Sequence, residues 1–352
     1  MITARLTPFG RNAAGELVEA ITLDNGRMRV VILTRGGALA DISVPDRTGT
    51  LANVVLTRAD FAGWDRGGSF NALVGRFAGR ISGGGFVIDG RFHALNADPA
   101  TGICSHGGAG AGWGTKLWTP SLFEEDGCAG VALALHSPDG DNGFPGAVDI
   151  IARYTLDGQD RLQLAFEART TAATHINVCS HPYFNLAGAG SADGHHLQLF
   201  ASHFVPIDGQ MLPSGGLAPV DGTPLDFRSG RPLGPALRQD HPQIRLARGL
   251  DHTMMIDGAP GSLRPAAILV DPASGRRLSI HTTQPAIQVY SANFLDGTAP
   301  AAAGRLLRAG DGLALETQHV PDSPNQPAYP STLLRPGALF SETTVYAFDV
   351  ID

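Results

Sequence analysis

Glycine and proline punctuate this chain so densely that long helices have no room. Its 352 residues include 45 glycines and 24 prolines, roughly one residue in five. An interior glycine costs a helix about 1 kcal/mol relative to alanine, and an interior proline about 3. No stretch keeps an apolar period of 3.6 over a helix length; the helix candidates are short, such as 58–64. Between the breakers the pattern has a period of two. Leu162, Leu164 and Phe166 alternate with Gln163, Ala165 and Glu167, and Val131, Leu133 and Leu135 alternate with alanines. Asp157-Gly-Gln-Asp160 separates two such runs, 150–156 and 162–166, and Asp89-Gly90 separates 86–88 from 91–95, so each pair predicts a hairpin. Further strands are expected at 278–282, 287–290, 312–315 and 344–350. Strands at this density without alternating helices exclude a doubly wound α/β fold. With no repeat of about 40 to 50 residues, a propeller is disfavoured. The expectation is all-β: one large antiparallel β-sandwich, residues 1–352 forming a single domain, with the Gly/Pro-rich stretch 208–235 as a surface excursion.

Charge and composition narrow the function. A net charge of −7 argues against a nucleic-acid partner. Nothing approaches the roughly 18 to 20 apolar residues of a membrane-spanning helix. Cys104, Cys128 and Cys179 show neither zinc spacing nor a disulfide pattern, and the N-terminal segment lacks an apolar signal region. The expected setting is the cytoplasm. Nucleotide, zinc-protease and serine-hydrolase motifs are absent. Gly108-Ala-Gly-Ala-Gly112 lacks the preceding buried strand and following helix of a dinucleotide loop. The histidines are scattered. Asp251-His252 is a poor chelating pair, because adjacent residues on a strand face opposite ways.

What remains is a set of polar side chains in apolar or glycine-rich surroundings: Arg76, Arg80, His106, His181, Asp251, Gln288 and Glu316. Buried ionisable groups are rare unless paired or functional.

These residues lie in segments that resemble the aldose 1-epimerase (galactose mutarotase) family. The segments are Val74-Gly-Arg-Phe-Ala-Gly-Arg-Ile81, Ser105-His-Gly-Gly108, His181-Pro-Tyr-Phe-Asn-Leu-Ala-Gly188, Gly249-Leu-Asp-His252, Gln288-Val-Tyr-Ser-Ala-Asn-Phe-Leu-Asp-Gly297, and Leu315-Glu-Thr-Gln-His-Val-Pro-Asp-Ser-Pro-Asn325 with Tyr329-Pro-Ser-Thr332. They occur in the family's order and run nearly end to end. The resemblance implies a sandwich of the galactose-mutarotase type that interconverts aldose anomers with no cofactor and no metal. By motif match, Glu316 is implied as general base and His181 as general acid, with His106 a second histidine near the ring oxygen. Arg80, Asp251 and Gln288 are implied to bind sugar hydroxyls. Tyr183, two residues after His181, is expected on the same side.

Mutarotation suits such a set. It breaks the C1–O5 bond of a hemiacetal, with a base taking the C1 hydroxyl proton while an acid protonates O5. Carboxylate and imidazolium can each perform the reverse role on closure. The expected state is His181 protonated and Glu316 ionised, with Asp251 the carboxylate available to hold it. The sequence departs from the family pattern at Gly79, Cys104 and Gly114, which bears on the preferred sugar. Two rivals are a relative acting on a phosphorylated or modified sugar and a non-catalytic sugar-binding protein; retention of His181 and Glu316 argues against the second. The expected partner is a small-molecule sugar, and the expected assembly a monomer or homodimer.

Overall fold

In a computed structural model, which describes all residues except Gly67, Ala109, Asp352 and the side chain of Ala303, the chain is built from antiparallel sheets. A five-stranded meander runs in chain order through Thr3–Arg11, Leu17–Asp24, Arg29–Leu33, Leu39–Pro45 and Leu51–Asn53. A nine-stranded sheet starts with Thr119–Glu125, Cys128–Ser137, Val148–Asp157 and Arg161–Thr170, and continues through Phe340–Val350 to Arg276–Thr282 and Arg264–Val270. Its edge carries His196–Leu199 and Arg231–Pro232. A six-stranded sheet is ordered Tyr183–Phe184, Leu313–Gln318, Ala286–Tyr290, Asp251–Met255, His203–Phe204, Ala218–Pro219. Among the described residues the α-helices are short, Phe61–Arg66 and Pro242–Ala247 being six residues each, as glycine and proline dictate.

The expected hairpins form. Val148–Asp157 and Arg161–Thr170 pair in register, with Tyr154 opposite Leu164, and the buried residues alternate along both. Gly85–Ile88 and Arg91–Ala94 make the second hairpin. The stretch 208–235 adds the edge strands Ala218–Pro219 and Arg231–Pro232 to two different sheets, so it belongs to the sheets' margins. The fold is a large antiparallel β-sandwich. One apolar cluster joins Val131, Leu133, Leu164 and Phe166 of the nine-stranded sheet to Ile287, Val289, Leu313 and Leu315 of the six-stranded sheet. Burying a side chain of this kind contributes about 1.5–3 kcal/mol.

Alternation along the six-stranded sheet also fixes what faces away from this core. If Leu313, Leu315, Ile287 and Val289 point inward, then Glu316, Gln318, Gln288 and Tyr290 point to the other side. Register completes the surface: Gln288 lies opposite Glu316 on one neighbour and opposite Thr253 on the other, and Asp251 lies opposite Tyr290. A polar face on an otherwise buried sheet is the platform of the site.

Candidate active site

The seven residues that the family resemblance implies line one cavity of about 180 Å³: Arg80, His106, His181, Tyr183, Asp251, Gln288 and Glu316. Ser69, Gly79, Tyr290, Phe294, Gln318 and Pro321 complete it. Pockets for drug-sized ligands measure roughly 300–1,000 Å³, so this one suits a single small polar molecule. A larger concavity of about 570 Å³ opens on the outer face of the nine-stranded sheet beside Ala134, Ile151 and Ala168. Its ionisable side chains, His136, Asp149, Glu167 and Arg169, are all exposed, and it gathers no buried chemistry.

Two further segments bring in the residues that the central strands of the six-stranded sheet do not supply. The short strand Cys179–Ser180 pairs with Leu73–Val74. The His181 N–H donates to Ala72 O at 3.0 Å, and the Tyr183 N–H donates to Asn71 Oδ1 at 3.0 Å. His181 and Tyr183 thereby reach the cavity together, ring centroids 4.9 Å apart, with Phe70 stacked behind Tyr183 at 5.1 Å. The second segment pairs Ser105 with Arg80. The His106 N–H donates to Gly79 O at 2.8 Å, and Nδ1 of His106 accepts the Gly79 N–H at 3.3 Å. That bond selects the tautomer with hydrogen on Nε2, a donor for an oxygen atom. The turn needs glycine next: Gly107 has φ +84°, and a Cβ there would sit 2.1 Å from Gly75 O.

Glu316 and His181 form the chemical centre. His181 Nε2 lies 3.4 Å from Glu316 Oε1, and both residues are buried. Burial, reinforced by the charge of Asp251, pushes the Glu316 carboxyl up to about 8; the Cys179 hydrogen bond and Arg80 act in the opposite direction. Burial pushes His181 down to about 4 and His106 down to about 3. Both shifts favour the arrangement in which the pair's proton rests on Glu316 and His181 is neutral. The sequence expectation is corrected here, because a buried site disfavours both the carboxylate and the imidazolium. Asp251 is engaged with partners other than His181. It accepts the Gln288 Nε2–H at 2.6 Å, faces Arg80 at 3.8 Å, and acts on Glu316. His181 Nδ1 has no hydrogen-bond partner among the described residues.

The remaining polar groups form a chain. Thr253 Oγ1 donates to Gln288 Oε1 at 2.5 Å, Gln288 continues to Asp251, and Asp251 to Arg80. Their partners fix them in place, as a surface that reads hydroxyl positions requires. Arg76 is different. Its guanidinium turns away and donates to Pro145 O and Gly146 O at 2.9 and 2.8 Å and to Ser137 Oγ at 2.8 Å. His252 points away from the cavity, toward Phe204 and Gln243. Among the described residues, no group of three or more His, Cys, Asp or Glu side chains is placed to hold a metal ion. Sequence reasoning did not single out Tyr290 and Gln318, although each lies two residues along a strand from a named candidate. Phe294 and Ser69, on irregular segments, carried no such signal.

A family model for aldose 1-epimerase matches residues 19–347. The chain belongs to the aldose 1-epimerase family. Rat (Rattus norvegicus) galactose mutarotase is 36% identical over 356 residues, covering 99% of this chain and 100% of that one. The aldose 1-epimerase of Escherichia coli K12 is 32% identical, with 95% and 96% covered. The crystal structure of galactose 1-epimerase from Lactobacillus acidophilus matches with a TM-score of 0.88 at 29% identity, both chains covered in full. Aldose 1-epimerases are isomerases, and the cavity lies where this chain's family motifs converge.

Proposed function

We propose that this chain interconverts the α and β anomers of free aldohexoses and aldopentoses by general acid–base ring opening and closure, with Glu316 and His181 as the proton-transfer pair. The observation that carries the reading is their 3.4 Å contact in a cavity sized for one sugar ring. For opening, the shared proton moves from Glu316 to His181. The Glu316 carboxylate then takes the C1 hydroxyl proton, the C1–O5 electron pair moves to O5, and His181 protonates O5. This leaves Glu316 protonated and His181 neutral, the state that burial favours. Rotation about C1–C2 turns the other face of the aldehyde to O5. In closure O5 attacks C1, Glu316 returns its proton to O1, and His181 takes the O5 proton. Each positioned transfer contributes roughly 10²- to 10⁴-fold. His106 Nε2–H is the donor to a sugar oxygen, and Arg80, Asp251, Gln288 and Tyr183 bind and orient the ring.

A phosphorylated substrate finds less support. Among the described residues lining the cavity, Arg80 is the only Arg or Lys. The candidates run from Arg80 to Glu316, which supports the whole chain acting as one unit; all come from one copy, so the site works in a monomer or a homodimer alike. No helix among the described residues is long and apolar enough to cross a membrane. The free thiols of Cys104, Cys128 and Cys179 favour a reducing cytoplasm. The test is polarimetry on freshly dissolved α-glucose, α-galactose, α-xylose and an arabinose anomer, with chelator present. Accelerated decay of rotation for at least one sugar is expected. Decay at the uncatalysed rate for all of them, or activity abolished by chelator and restored by metal, would overturn the proposal.

A further inference from the structure

The two oxygens of the Glu316 carboxyl have different neighbours. Oε1 faces His181. Oε2 accepts the Sγ–H of Cys179 at 3.5 Å, and among the described residues this is the only hydrogen bond donated to the carboxyl. We propose that Cys179 is a positioning residue for anomer interconversion: its thiol holds Oε2, turns Oε1 toward His181 and the sugar, and steadies the ionised carboxylate that accepts the C1 hydroxyl proton. The inference rests on the reading of Glu316 as the base.

The geometry is fixed from both ends. Cys179 sits on a paired strand opposite Val74 and packs against Val74 and Ala78, with 1% of its surface exposed. Glu316 is locked by its strand register against Gln288. Burial and the neighbouring carboxyl push the Cys179 thiol well above its ordinary range, so it remains S–H, a donor toward the ionised carboxylate. The titratable and charged groups around Glu316 come from every packed element. Cys179, His181 and Tyr183 belong to one segment, while Tyr290, Asp251 and Tyr346 come from three other strands and Arg80 from the short strand paired with Ser105. Of these, Cys179 and Arg80 favour the ionised carboxylate, and Arg80 also faces Asp251. Of the two, only the thiol touches the Glu316 carboxyl, at Oε2, while His181 faces Oε1.

Removing the donor therefore raises the affinity of Glu316 for the shared proton, and a stronger donor lowers it. In Cys179→Ala the alkaline limb of kcat/KM against pH should move up by about half to one pH unit. The plateau should fall about three- to tenfold, because each pH unit shifts the proton tenfold toward Glu316 and away from His181. In Cys179→Ser the limb should move down and the plateau hold or rise. Should Cys179→Ala fail to fold, Cys179→Val takes its place. A readout independent of turnover is the carboxyl titration in protein carrying ¹³C at the glutamate side-chain carboxyls, with the Glu316 signal assigned by its loss in Glu316→Gln. The expected order of midpoints is Ser below wild type below Ala. Equal midpoints in all three proteins would overturn the proposal, whatever the rates. If the order holds but Glu316→Gln keeps its turnover, the reading of Glu316 as base falls, and the catalytic role of Cys179 with it.

Discussion

Replacing Glu316 by Gln should make the folded protein more stable at neutral pH, and the gain should grow with pH. The carboxyl is 2% exposed, and its midpoint lies near 8 where an ordinary glutamate has 4.5. Between those values the unfolded chain has released the proton while the folded protein keeps it. Wild-type stability from this group is therefore full below pH 4.5 and is lost progressively as pH rises through 8. Glutamine does not titrate, fits the same space, and can still accept the Cys179 S–H. Each pH unit is worth about 1.4 kcal/mol. The stability difference should be under about 1 kcal/mol at pH 5, roughly 3 kcal/mol at pH 7 and roughly 5 kcal/mol above pH 8. Paired urea denaturation of the two proteins at pH 5, 7 and 8.5 measures it, and the titrations of histidines remote from Glu316 cancel. A difference that stays constant with pH, or a variant less stable at pH 7, would refute the reasoning, since either would mean that burial does not strain this carboxylate.

Three further expectations follow from the same geometry. The kcat/KM profile should be flat between about pH 4, where the pair gains a second proton, and about pH 8, where it loses its only one; an alkaline limb near 6.5, the ordinary histidine value, would contradict the one-proton pair. Arg80→Ala should raise KM about ten- to hundredfold, as expected from losing a hydrogen bond of about 1.5–3 kcal/mol from a charged group, and Gln288→Ala about two- to tenfold, since amide and hydroxyl are neutral and bond at about 0.5–1.5 kcal/mol; unchanged KM in both would mean that they do not touch the sugar. Arg76→Met should lower stability by about 2–5 kcal/mol by orphaning buried carbonyls, yet leave KM near normal; a raised KM in folded protein would place Arg76 in the site after all.

How far the sequence carried depends on which physical fact each conclusion used. Period-two alternation made the strands and the sandwich class readable, because it reports directly which face is buried. The same alternation exposed Gln288 and Glu316 as polar groups on apolar strands. It could not show that they lie directly opposite each other, since register between strands far apart in the chain is a tertiary fact. Arg76 and Arg80 look alike in sequence. Only the carbonyls of 137–146, brought in from a distant loop, distinguish a structural guanidinium from one lining the cavity. The protonation of the pair is not legible in the sequence for a related reason. Residue types suggested a carboxylate and an imidazolium, but burial depth sets the balance. Cys179 carried no chemical signal of its own until its thiol was seen against Glu316.

In the proposed mechanism Glu316 and His181 exchange protons with the sugar as one unit. Its most direct test is the polarimetric rate per folded molecule of Glu316→Gln, His181→Asn and the double variant, with sugar binding measured on the same preparations. Each single variant should lose roughly 10²-fold or more, the double variant should be little worse than either, and sugar affinity should be far less affected. A folded Glu316→Gln protein that binds sugar and turns it over at near-normal rate would contradict it.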